Sequence, residues 1–221
     1  MRIHKHLPKL AALGAMLVLA ACSADTGTTA PIAADELAAP AMPNVAASNA
    51  VVAERSEAPT SSAHGTYAIA YPSNAITYQF VHNPTASATY IVGTHMVHFP
   101  AYTICDPAVS GYGASTWLNS CPKLTSPIVI TATTWIDLFG RAQIDFNNEI
   151  RFYKNNFNQL PAIYLRDPFA AFSSWSRVDY CSASGCVNEA ATDAALGTQR
   201  DPITGYLFRL IRHFSGYNVW A

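Results

Sequence analysis

All 11 tyrosines, 10 phenylalanines and 4 tryptophans of this 221-residue chain lie after residue 64. A packed core is built largely from such side chains, because each removes a large apolar surface from water. Residues 23 to 64 hold none and are dominated by Ala, Ser, Thr and Pro, so they cannot bury enough surface to offset their ordering entropy. They read as a tether with a mean reach on the order of 35 Å. Residues 65 to 221 are left as one domain of ordinary size.

Within that domain the apolar pattern has a strand period. Short runs rich in β-branched and aromatic residues occur at Thr66–Tyr71, Ile76–His82, Ala88–Val92, His95–Phe99, Ile128–Trp135, Ala142–Phe146, Ile150–Tyr153, Ala162–Arg166, Arg177–Cys181, Tyr206–Phe214 and Tyr217–Trp220. Turn chemistry separates them at Pro72-Ser73-Asn74, His82-Asn83-Pro84, Asn147-Asn148, Asp167-Pro168 and Ser184-Gly185. The pattern predicts an all-β fold, a sandwich or a barrel. Residues 190–196 are expected to make a short helical turn. In the Ile128 strand, Ile130 and Ala132 share one face, while Val129, Thr131, Thr133 and Trp135 share the other.

The first 21 residues place Arg2, Lys5 and Lys9 before an apolar run from Leu10 to Ala21, which is the layout of a secretory signal. That run is shorter than the roughly 20 residues needed to span a bilayer. Leu19-Ala20-Ala21-Cys22 resembles the lipobox of bacterial lipoproteins. The resemblance implies removal of residues 1–21, acylation of Cys22 and attachment to a bacterial envelope membrane. Ser23 favours the outer membrane, because inner-membrane retention signals usually carry Asp there. The division is then 1–21 signal, 22–64 lipidated cysteine and tether, and 65–221 sandwich.

Residues 65–221 carry nine Lys plus Arg against nine Asp plus Glu. This balance gives no indication of a nucleic-acid partner or of an electrostatic membrane patch. Beyond Cys22 the cysteines are Cys105, Cys121, Cys181 and Cys186, an even set suited to an oxidising compartment. Of three possible connectivities the local one, Cys105 with Cys121 and Cys181 with Cys186, is expected. Their spacing lacks the tight pairs of a structural zinc site.

The order GTHMVHFPAYTICDP, SPIVITATTW, RAQIDFNNEIRFYKNN and YLFRLIRHFSGYNVWA, over residues 90 to 221, resembles the ZU5-like β-sandwich domains of bacterial envelope proteins. A cysteine-bracketed insert after Phe99-Pro100 and the lack of a glycine-rich entry strand set it apart from ankyrin and netrin-receptor ZU5 domains. The similarity is greater to envelope lipoproteins with such an insert. It implies a single antiparallel β-sandwich of immunoglobulin-like kind and a role in protein contact or structural support, with an envelope protein as partner, and carries no catalytic residues.

No nucleophile elbow, P-loop or zinc-protease motif is present, so the commoner motif-bearing enzyme classes have no support; the chain is not expected to be an enzyme, a hydrolase ranks third among its functions, and no cofactor is expected. His95 and His98 stand three apart, a spacing that sends their side chains to opposite faces of a strand and does not suit chelation; no metal is expected. Asp137, Asp145 and Glu149 are close in sequence, but glycosidase chemistry needs a set separation across a cleft. His213 and Ser215 share a strand face without the turn, oxyanion donors or third residue of a catalytic triad. They are read as part of a closing strand, with Gly216 marking a close backbone approach. Glycan binding is the rival function, because exposed aromatic rings stack on sugars. Trp135 is expected in the core, whereas Trp117 and Trp175, in loop-like surroundings, are the candidate contacts.

Overall fold

The structure is a computed structural model that describes residues 50–56, 61–64, 67–146, 148–182 and 184–221. The expected signal, Cys22 and most of the expected tether lie outside the described residues. The strands are β1 Val51–Val52, β2 Glu54–Ser56, β3 Ser61–His64, β4 Tyr67–Ala70, β5 Ile76–His82, β6 Ala88–Val92, β7 His95–Phe99, β8 Ile128–Ile136, β9 Ala142–Phe146 and β10 Ala162–Arg166. After the short helix α1, Pro168–Phe172, come β11 Arg177–Ser182, β12 Gly185–Val187, β13 Gln199–Asp201, β14 Tyr206–Leu210 and β15 Gly216–Trp220.

Among the described residues, one sheet has the order β1-β6-β7-β10-β14-β13 and a second the order β12-β11-β15-β9-β8-β5-β2. Pairing is antiparallel except between β1 and β6. The fold is an all-β sandwich. β3 and β4 form a separate two-stranded ladder.

Strand alternation explains which rings meet between the sheets. Phe80 of β5 stacks on Tyr90 of β6 with centroids 4.1 Å apart, and Phe146 of β9 stacks on Phe214 at 4.2 Å. Phe99 and Phe152 meet Phe214 edge to face at 5.8 and 4.9 Å. Phe214 is fully buried, so residues just before β15 plug the centre of the core.

Four departures from the sequence expectation have physical reasons. Residues 51–56, assigned to the tether by composition, form β1 and β2 at one edge of each sheet, around the buried Ala53. Edge pairing is made by backbone groups, which side-chain composition does not report. Asp167-Pro168 starts a helix rather than a simple turn: Asp167 accepts the Ala170 N–H at 3.0 Å and proline occupies the first helical turn. Residues 150–153 make isolated bridges through Arg151 and Phe152 instead of a continuous strand. Trp135, expected in the core, is half-buried beside Tyr71, ring centroids 5.5 Å apart, because alternation puts it on the outer face with Val129.

Candidate functional site

The longest loop of the domain connects β7 to β8, and Cys105 and Cys121 cross-link it with Cα atoms 5.5 Å apart. Arg151, buried beneath it, donates from Nη1 to the carbonyls of Thr116 at 3.0 Å and Asn119 at 2.7 Å. Those bonds satisfy carbonyls that a loop would otherwise leave to water. The Tyr112 hydroxyl donates to the Phe214 carbonyl and lies 3.2 Å from Ser215 Oγ, docking the loop on the sandwich. Burial raises the Tyr112 pKa, so this phenol stays a donor.

Opposite stands the β11–β12 hairpin, closed by Cys181 and Cys186 with Cα atoms 4.0 Å apart. The expected local disulfide pairing is thus the one adopted. Past the hairpin the chain makes two 3-10 turns, Glu189–Ala191 and Ala194–Leu196, where a helical turn is expected. Asn188 and Asp193 cap them through bonds to the N–H groups of Ala190 and Ala195. Between the two cross-linked segments lies a groove of about 710 Å³, within the size range of small-ligand sites.

Its floor is layered. Trp117 lines the groove and lies flat on His213, with centroids 3.6 Å apart and planes inclined by 17°. Tyr180, also in the lining, meets Trp117 edge-on at 5.6 Å and His213 at 4.7 Å. Below, His213 Nε2 is 2.9 Å from Glu189 Oε1, and Glu189 Oε2 accepts from the fully buried Arg209 at 2.7 Å. Arg209 also donates to the Val178 carbonyl at 2.9 Å. Burial pushes the Glu189 carboxyl up, but the hydrogen bond and charge of His213 and the charge of Arg209 outweigh it and hold the group below its ordinary value. At the rim Arg212 Nε donates to Asp193 Oδ2 at 2.6 Å, a second ion pair facing the groove.

The aromatic floor supplies flat apolar surface, and the paired rim charges supply donors and acceptors without a large net field. Such a groove suits a neutral or weakly charged polyhydroxylated ligand. Of the two tryptophans expected as contacts, Trp117 is in the groove, though half-buried rather than free in solvent. Trp175 is 86% exposed and belongs elsewhere: it precedes the first residue of β11, while the groove borders the last residues of that strand. The structure therefore does not bring them together.

His213 and Ser215 have separate partners, Glu189 and Tyr112, instead of each other. Gly216 behaves as expected, since a Cβ there would sit 3.2 Å from the Cys181 carbonyl oxygen. His95 Nδ1 accepts the Arg166 N–H at 3.0 Å, whereas His98 Nδ1 pairs with Thr89 Oγ1 at 2.9 Å, on opposite faces of β7. Sequence reasoning passed over Glu189, Asp193, Arg209 and Arg212. No local signal marks them as partners, because the paired residues stand 20 and 19 apart in the chain. No protein-family model, curated protein or solved structure matches this chain.

Proposed function

We propose that this protein is a lipid-anchored component of a bacterial envelope, on the outer membrane, whose β-sandwich binds carbohydrate in the groove between its two disulfide-closed segments. The observation that carries the reading is Trp117, held flat on buried His213 and presented to a groove with Tyr112 and Tyr180. A sugar ring stacks its C–H face on such a floor while its hydroxyls bond to paired Asp193 and Arg212 at the rim. The role is binding without catalysis, because the groove's carboxylates are engaged in holding the protein together. The protein-contact role implied by the ZU5-like order is secondary, since the groove is concave and aromatic rather than broad and flat.

Tryptophan fluorescence, titrated with envelope and extracellular polysaccharides, tests the binding role. A saturable change in the native chain that disappears in Trp117→Ala supports it, and an unresponsive native chain overturns it. The anchor is tested separately by mass spectrometry of the mature protein, in which an unmodified Cys22 would refute acylation.

A further inference from the structure

We infer that the Cys181–Cys186 cystine is a thiol-exchange site: an external dithiol reduces it while the domain stays folded, and the reduced form has a loosened groove wall. The consequence for ligand binding rests on the carbohydrate reading; the chemistry of the cystine does not. The two cystines are placed differently. Cys105 is 1% exposed, its N–H donates to the Arg151 carbonyl at 3.1 Å, and the loop it closes is held by Arg151 and Tyr112. Cys186 lies instead in β12, whose three residues are all exposed, at the end of its sheet and paired with β11. Exchange requires a thiolate to approach a sulfur, so access favours Cys186 over a bond that is reached only after the longer loop lifts.

What opens on reduction is bounded at both ends. Cys181 stays in β11, where it is in register with Gly216 of β15. Three residues beyond Cys186, buried Glu189 is tied to Arg209 and His213. Between these fixed points the chain is held to β11 by the Tyr180–Val187, Cys181–Cys186 and Ser182–Gly185 pairs and by the cross-link. Burial adds little, because β12 is exposed throughout, and so short a ladder is marginal in water without other support. Loss of the cross-link therefore frees residues 182–188 and leaves the core between the sheets intact. Ser182, Ser184, Val187 and Asn188 line the groove, and Val187 stands opposite Tyr180, whose ring meets Trp117 edge-on. Freed, this wall no longer fixes Tyr180 against Trp117.

The exchange balances with a dithiol as reductant. Its thiolate attacks Cys186 Sγ, the Sγ–Sγ bond breaks, and Cys181 leaves as a thiolate that takes up a proton. The second thiol then attacks the mixed disulfide, releasing Cys186 as a thiol and closing the reductant's own disulfide. Two electrons pass to the cystine, and the two protons on the product thiols come from the dithiol.

The test exposes the native full-length protein to graded dithiothreitol, traps free thiols with N-ethylmaleimide and maps them by peptide mass spectrometry. Cys181 and Cys186 should be labelled roughly tenfold faster than Cys105 and Cys121, with the difference shrinking in denaturant. Selective reduction should leave the circular dichroism of the folded domain and change the emission of Trp117, read against Trp117→Phe. Cys181→Ser with Cys186→Ser should show that changed emission without reductant. Polysaccharide affinity should fall about threefold or more in the selectively reduced chain. Equal labelling of the two pairs, loss of the folded domain on selective reduction, or selective reduction with unaltered Trp117 emission and affinity overturns the inference. A native chain that binds no polysaccharide refutes the carbohydrate reading alone, since labelling and emission still decide the cystine.

Discussion

Trp117 and His213 lie face to face, 3.6 Å between ring centroids, and this contact joins a surface loop to the ion-pair network beneath the last strand. The groove's binding surface and the domain's buried charges are consequently one structure. Changes to either residue should register in both binding and stability.

Replacing Trp117 with alanine removes the groove floor and uncovers His213. Polysaccharide binding should weaken tenfold or more, worth about 1.4 kcal/mol or above. Trp117→Phe keeps a flat ring and should retain part of the affinity. Titrations of the two variants, read through the remaining tryptophans or by calorimetry, distinguish a stacking contact from a generic packing role; equal losses would argue for packing.

Glu189→Gln leaves the Arg209 guanidinium buried without its counter-charge. Loss of one partner of a buried pair costs about 3 to 5 kcal/mol, a large part of a small domain's stability. Chemical denaturation should show that loss. Replacing Glu189 and Arg209 together by apolar residues of similar size should recover much of it, and a double variant as unstable as the single one would contradict the pairing.

The disulfides should differ in weight. By chain entropy, closing the loop from Cys105 to Cys121 stabilises by about 3 kcal/mol and the shorter Cys181 to Cys186 loop by about 2 kcal/mol. Serine pairs at each site, compared in denaturant, should preserve this order. Loss of the first should also diminish binding, because Tyr112 and Trp117 are carried on that loop.

Burial, and for His82 also the nearby His98, pushes the imidazoles of His82 and His95 down to about 4. Unfolded, each titrates near 6.5, so between those values the unfolded chain binds more protons and stability rises with pH. The contribution is complete above about pH 6.5 and is lost as pH falls toward 4, at up to roughly 3 kcal/mol for each histidine. The lowered Glu189 acts in the same direction at more acid pH. Melting temperature should therefore fall between pH 6.5 and 4, less steeply in His95→Gln. An equally steep fall in that variant would assign the dependence to other groups.

Local pattern was sufficient for much of the fold. β5, β6, β7, β9 and β10 begin and end where alternation and turn residues place them, because a strand's faces and corners are written in neighbouring residues. The disulfides were legible for the same reason, each joining cysteines close in the chain. β1 and β2 were not, since an edge strand can be held by backbone pairing with little apolar signature. α1 was read as a turn because the same Asp-Pro pair opens either structure.

By itself, then, the chain's order of residues determined an all-β domain after an aromatic-free stretch, its principal strands and its cross-linked loops. Those depend on periodicity and short separations. Only the tertiary structure decided that Trp117 faces a groove while Trp175 stands at the other end, and that Glu189 meets both Arg209 and His213, 20 and 24 residues away. It likewise decided that Asp167 ties α1 to β9 and to the turn before β14. Such meetings are set by how two sheets pack and which loops share an end, a long-range arrangement that no local period encodes.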